Sequence, residues 1–147
     1  MKTITSARWH YSISIPLDWS AAHSAGEDTY SSPGQGGPVL HVELVEMPLG
    51  NGPSVPLSVL AEEVAAVHSG DYGRSRPDGQ SPTTVGGLHA TELVWLHAKT
   101  RDGTTYASEV VVIHDRKGFD IARHAPLASG TTGEGQFLEI IGSLTWA

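Results

Sequence analysis

Near the start of the chain Trp9, Tyr11, Ile13 and Ile15 share one parity, and His10, Ser12 and Ser14 the other. A period of two predicts a strand with one buried face, and Pro16 ends it. Residues 20–37 are rich in Ser, Ala and Gly and close on Pro33-Gly34-Gln35-Gly36-Gly37. They predict a loop, with at most a short strand about Thr29-Tyr30. A second strand is predicted from Val39 to Met47, and a second loop from Pro48 to Pro56.

The period then changes. Leu57, Leu60, Ala61, Val64 and Val67 follow the spacing of one helix face. Pro56 suits the first turn, Ser54 is the candidate cap, His68 falls in the last turn and Gly70 is the expected terminator. A short strand over Asp71–Arg76 and a turn over Pro77–Pro82 follow. Strands are predicted at Leu88–Ala98, Thr105–His114 and Phe119–His124, with Arg101-Asp102-Gly103 and Asp115-Arg116-Lys117-Gly118 as turns between them. A second helix is predicted over Gly133–Gly142, with Thr131 and Glu134 at capping-box spacing and Phe137, Ile140, Ile141 and Leu144 on its apolar face. Leu144-Thr145-Trp146 suits a last edge strand. This order predicts one α+β domain over residues 1–147: an antiparallel sheet of about five to seven strands flanked by two main helices. The expected core includes Trp19, Ile13, Ile15, Leu60, Val64, Val111, Ile113, Phe137, Ile140 and Ile141. A parallel βαβ series is not required.

Composition narrows the function classes. The 147 residues include no cysteine, so disulfides, zinc–thiolate sites and cysteine nucleophiles are excluded. Sixteen acidic against nine dispersed basic side chains leave a formal net charge of -7. That field disfavours nucleic acid and anionic membrane surfaces as partners. No apolar run approaches the roughly 20 residues of a membrane span. The first eight residues hold no apolar segment of a signal peptide. The expected location is therefore cytoplasmic, or the chain is a mature domain whose export signal has been removed.

Three stretches resemble the PsbP, Mog and DcrB superfamily of small α/β/α sandwich proteins. Tyr11-Ser12-Ile13-Ser14-Ile15-Pro16-Leu17-Asp18-Trp19 resembles its strand–Pro–x–x–Trp entry. The helix from Leu57 to Ser69 stands where that superfamily places one. Ala122-Arg123-His124-Ala125-Pro126, then Phe137, Ile140, Ile141 and Ser143-Leu144-Thr145-Trp146, resemble its last strand, closing helix and end. Trp146 stands where phenylalanine is common, and the amino-terminal pattern of DcrB-like chaperones has no match. The resemblance implies a non-catalytic protein-binding or accessory domain, without a cofactor, whose partner is another protein or a second copy of the chain.

The chemistry-bearing residues are few in pattern and many in number. His41-Val42-Glu43 places two potential metal ligands on one strand face, because positions i and i+2 share a side. Its His-x-Glu is half of the zinc-deaminase signature, whose cysteine half cannot exist here. His89 and His97 share a parity but stand too far apart for one ion. No H-E-x-x-H helix motif, no G-x-S-x-G elbow and no Lys-Ser/Thr after Gly34-Gln35-Gly36-Gly37 occurs. The histidines read first as solvated or hydrogen-bonded, and His41 and Glu43 are the metal candidates. Trp95 lies on a strand neither of whose faces is clean, which makes it the candidate partner-binding anchor; burial under a helix is the commoner fate of such a residue. The alternative is a small hydrolase, lyase or metal-dependent enzyme using His and carboxylates on the sheet. A cleft lined by His41, Glu43 and another histidine would favour that alternative.

Overall fold

The structure, a computed structural model, describes residues 1–34, 39–45, 56–100, 103–126 and 134–147. Its elements are β1 (Lys2–Ser6), β2 (Tyr11–Ile15), β3 (Ser20–Ser24), β4 (Glu27–Ser31), β5 (Val39–Val45), α1 (Leu57–Tyr72), β6 (Gly79–Val85), β7 (Leu88–Thr100), β8 (Gly103–His114), β9 (Lys117–Pro126), α2 (Glu134–Gly142) and β10 (Thr145–Trp146). Seven strands form one sheet in the order β3-β4-β5-β9-β8-β7-β6, and β1-β2-β10 form a small second sheet. The strand pairings in both sheets are antiparallel.

Side-chain alternation gives the large sheet two faces. Leu40, Val42, Val110, Val112, Phe119 and Ile121 point to one, where they pack with Ile13 and Ile15 of β2 and Phe137, Ile140 and Ile141 of α2. Each fully buried side chain of this size contributes roughly 1.5–3 kcal/mol of transfer free energy. The other face receives α1, whose Leu60 and Val64 pack on Leu93 of β7 and Val111 of β8. The α+β class with two main helices is as expected. The layer opposite α1 is richer than one helix, because α2 shares it with the small sheet.

The differences from the sequence expectation have local causes. Lys2–Ser6 has one apolar side chain, Ile4, yet forms a strand because β2 offers it a pairing edge, Lys2 opposite Ile15 through Ser6 opposite Tyr11. The predicted loop at 20–37 contains the β3–β4 hairpin, turned at Gly26 with φ +77°. β3 is exposed throughout, so it carries no apolar signal. The helix passes Gly70 and ends at Gly73, whose φ of +64° is left-handed and whose N–H bonds the Gly70 carbonyl. No strand forms over Asp71–Arg76. The buried line of α1 is Leu60, Ala61, Val64 and Tyr72, with His68 half-buried, and Val67 is exposed. Gly79–Val85 is an edge strand where a turn was expected, and the edge accepts Pro82. Of the expected core, Ile113 is half-buried and the others are buried. Ser54, Thr131 and Arg101-Asp102 lie outside the described residues, as do Met47 and most of the Pro48–Pro56 loop.

Two features tie the small sheet to the large one. Asp28 of β4 is fully buried and accepts hydrogen bonds from the Tyr11 hydroxyl at 2.6 Å and the Arg8 guanidinium at 2.7 Å, with His23 Nδ1 also at 2.7 Å. Burial alone would raise its pKa, but the hydrogen bonds from Tyr11, His23, Arg8 and Ser6 outweigh it and hold the carboxyl below its ordinary value. At the β6–β7 turn, Gly86 has φ +56° and a Cβ there would stand 2.5 Å from Cδ1 of Trp146. Gly87 has φ +83° and open space around it. Gly87→Ala is expected to cost about 1–2 kcal/mol, a backbone effect. Gly86→Ala is expected to cost at least about 1 kcal/mol more, because the indole must move off Val85 and His114. Equal urea midpoints for the two variants would show that Trp146 is not held there.

Candidate functional site

Trp95 is not a surface anchor. A bulge interrupts the β7–β8 register between Trp95 and Ala98, so both side chains turn to the α1 side and bury against Tyr72 and Ala107. Trp95 is 0% exposed, and its indole N–H donates to Oε2 of Glu109 at 2.6 Å. The parity break made both faces of this strand look mixed in sequence. The flanking His89 and His97 are exposed.

Glu109 lies buried beneath the site, under His68. Helix α1 packs across β7 and β8 and leaves the β9, β5 and β4 portion of that face beside it. The step between helix and sheet is a cleft of about 260 Å³. The sheet contributes Glu27 of β4, His41 and Glu43 of β5, and Asp120, Ala122 and His124 of β9; α1 contributes His68, Asp71 and Tyr72. Register aligns them, because Glu43 pairs with both Glu27 and Asp120, and His41 with Ala122. His68 stands over the floor because it lies one and two turns beyond Val64 and Leu60 on the buried line of α1.

Two carboxyls are buried in the floor. Glu109 and Asp120 are each 1% exposed. His68 Nδ1 stands 2.7 and 2.9 Å from the two oxygens of Glu109, and its hydrogen bond is directed to Oε2, the oxygen that also receives Trp95. Among the described residues, Oε1 of Glu109 and both oxygens of Asp120 have no hydrogen-bond partner of ordinary donor–acceptor kind. Burial pushes the Glu109 carboxyl up to about 7, against the adjoining Asp120 carboxyl and the Trp95 N–H, which lower it. Burial, then repulsion from Glu109, drives Asp120 well above the carboxylate range. One proton shared between them satisfies both directions. Glu43, at the mouth, is raised by partial desolvation.

The rim side chains are already paired. His41 Nδ1 is hydrogen-bonded to Glu27 Oε1. His124 Nε2 meets the Tyr72 hydroxyl at 2.9 Å, and burial followed by repulsion from His41 and His68 lowers its pKa to about 4. One ligand atom each from Glu43, His68 and Asp120 lie within 4.8 Å of one another.

Of the two metal candidates read from sequence, Glu43 therefore belongs to a group with ligand-like spacing, whereas His41 is held by Glu27. A cleft lined by His41, Glu43 and further histidines is present. His68, Glu109 and Asp120 had no sequence signal of their own, since 41 residues separate His68 from Glu109 and each sits in an apolar run. The available hint was a charged residue at a core-parity position, as in Ala107, Glu109 and Val111.

No protein-family model matches the chain, and no curated protein matches it in sequence. Solved structures do. Cyanobacterial PsbP (CyanoP) from Synechocystis sp. superposes with a TM-score of 0.71 at 12% identity, over 99% of this chain and 92% of that one. The Ran-binding protein Mog1p of Saccharomyces cerevisiae gives 0.57 at 8% identity, over 99% and 94%. PA94, a protein of unknown function from Pseudomonas aeruginosa, gives 0.60 at 10% identity, over 97% and 94%. At these identities the likeness is one of fold, and it bears out the PsbP/Mog resemblance read from the sequence.

Proposed function

We propose that this chain of PsbP/Mog fold is a non-catalytic binding domain that takes a basic segment of another protein against the α1 cleft. The observation that carries the reading is the make-up of the cleft. Its lining holds four carboxylates and, among the described residues, no lysine or arginine, an acidic surface complementary to a basic segment. Of the two carboxyls with the largest shifts, Glu109 is buried under His68 and Asp120, 1% exposed, lies at the bottom of the cleft, and the rim imidazoles are engaged by Glu27 and Tyr72. A general acid or base must instead meet its substrate within hydrogen-bond distance. The net charge of -7 steers a basic partner in the same direction. The description of Mog1p as Ran-binding supports protein recognition as one use of this fold.

The test is cross-linking and recovery from extracts of the source organism. The wild-type chain is expected to retain one protein in stoichiometric amount, cross-linked near Glu27 and Glu43, and Glu27→Lys/Glu43→Lys to lose it at least tenfold. Retention unaffected by that reversal, or turnover of ester or phosphoester substrates abolished by Glu43→Gln, would overturn the reading in favour of a surface elsewhere or of an enzyme.

A further inference from the structure

We propose that Glu43, His68 and Asp120 form a binding site for a single divalent transition-metal cation, with Zn²⁺ as the best-matched ion, positioned through Glu109 and Trp95. The proposal shares Glu43 and the cleft with the partner reading, but its test reads Zn²⁺ binding to the chain alone and needs no partner.

Two separate observations carry it. The first is the spacing: the three ligand atoms, two carboxylate oxygens and one imidazole nitrogen, fall within 4.8 Å of one another. Bonds of about 2.0–2.2 Å to nitrogen and carboxylate oxygen place donors on one ion no more than about 4.4 Å apart, so a small side-chain movement closes the set. The second is the state of Asp120. It is 1% exposed and lines the cleft, yet apart from the neighbouring Glu109 carboxyl, with which it shares a proton, no hydrogen-bond donor among the described residues reaches either of its oxygens. Buried carboxylates are normally hydrogen-bonded or hold a cation.

The imidazole is oriented for the task. His68 Nδ1 faces Glu109; when the cation displaces the proton shared with Asp120, Glu109 is a carboxylate and only accepts, so the His68 proton sits on Nδ1 and the lone pair of Nε2 is free. That lone pair stands 3.9 Å from Oδ2 of Asp120, too long for a hydrogen bond and suited to two donors flanking one ion. Trp95 in turn donates to Glu109 at 2.6 Å. A carboxylate bonded to the far nitrogen of a ligating histidine fixes tautomer and ring plane in this way. Glu43, exposed at the mouth, closes the set, and the cleft leaves room for water or a partner group in the remaining positions. One imidazole with two carboxylates disfavours Mg²⁺ and Ca²⁺, which take oxygen ligands, and the absence of thiolate disfavours Cu(I).

Zn²⁺ itself is the probe, titrated into the untagged 147-residue chain stripped with chelator. Calorimetry is expected to show one site per chain, and the thermal midpoint to rise with Zn²⁺. Asp120→Asn, which keeps the shape of the side chain, and His68→Gln are each expected to weaken that site at least tenfold. His89→Gln/His97→Gln, altered at exposed positions, should leave it unchanged. In wild-type protein the ¹⁵N resonance of His68 Nε2 should move on adding Zn²⁺ while Nδ1 keeps its proton, a readout that depends on no variant folding. Glu109→Gln should weaken binding less than Asp120→Asn, as fits a positioning residue, and Trp95→Phe less again. Stoichiometric binding that survives both Asp120→Asn and His68→Gln would mean adventitious capture by surface histidines and overturn the site. So would the absence of any single-site isotherm, or an unmoved Nε2 resonance, in the wild-type chain.

Discussion

Trp95→Ala is expected to lower the folding free energy by about 3–5 kcal/mol, the loss for emptying a fully buried aromatic position in a packed core. The ring is wedged between β7 and the end of α1, 5.3 Å from Tyr72 and nearly edge-on to it, beside Ala98 and Ala107, which are too small to close the void. The change also takes from Glu109 the donor at 2.6 Å and leaves a buried carboxyl with one partner fewer. Trp95→Phe separates the two effects, since it keeps most of the volume and loses the N–H; a cost of about 1–3 kcal/mol is expected. Urea unfolding of the three chains decides the matter. An alanine variant with an unchanged midpoint would restore Trp95 as a surface residue and undo the description of the site.

The metal-free protein is expected to lose stability as pH rises from 5 to 8, on the order of 3 kcal/mol. The sign follows from Glu109, whose pKa moves from an ordinary 4.5 to about 7 on folding. A carboxyl with a raised folded pKa binds its proton more tightly in the native state. Its contribution is complete below the unfolded pKa and is lost as pH climbs through the folded one. Titration from an ordinary 4.5 to about 7 corresponds to roughly 3 kcal/mol. Asp120 and Glu43 are also shifted upward and act in the same direction. Asp28 has the opposite sign: its lowered pKa contributes stability that is lost only as pH falls through the acid range. The groups facing the Glu109–Asp120 pair are His68 from α1, Glu43 from β5 and Trp95 from β7. Asp120→Asn removes the charge that must be buried, so it should flatten the slope and melt several degrees higher than wild type at pH 8. Melting curves in chelator at three pH values measure both, and a wild-type protein whose stability is flat or rises from pH 5 to 8 would refute the shared-proton pair. Saturating Zn²⁺ should reverse the slope, because the ion needs deprotonated ligands.

The sequence by itself determined the parts whose signal is local. The alternation of Tyr11, Ile13 and Ile15, the helical spacing of Leu57 to Val64 and of Phe137 to Ile141, and the turn at Asp115-Arg116 all stand as read, because each signal is local to one element. That is enough for an α+β class and for the PsbP/Mog resemblance. Tertiary structure decided the rest. β1 and β3 form because neighbouring strands offer unpaired edges, and an edge leaves no mark on the residues that will fill it. The bulge after Trp95 turns two side chains the same way, which no strict period of two predicts. His41 and Glu43 were legible as a pair because one strand carries both. Glu43, His68 and Asp120 were not, because β5, α1 and β9 bring them together only once strand order places β9 between β5 and β8 and the helix lies across β7 and β8. Whether a histidine is a solvated surface group or stands over two buried carboxylates depends on that packing, since burial is what turns an ordinary Asp or Glu into a site with a proton, or a cation, to hold.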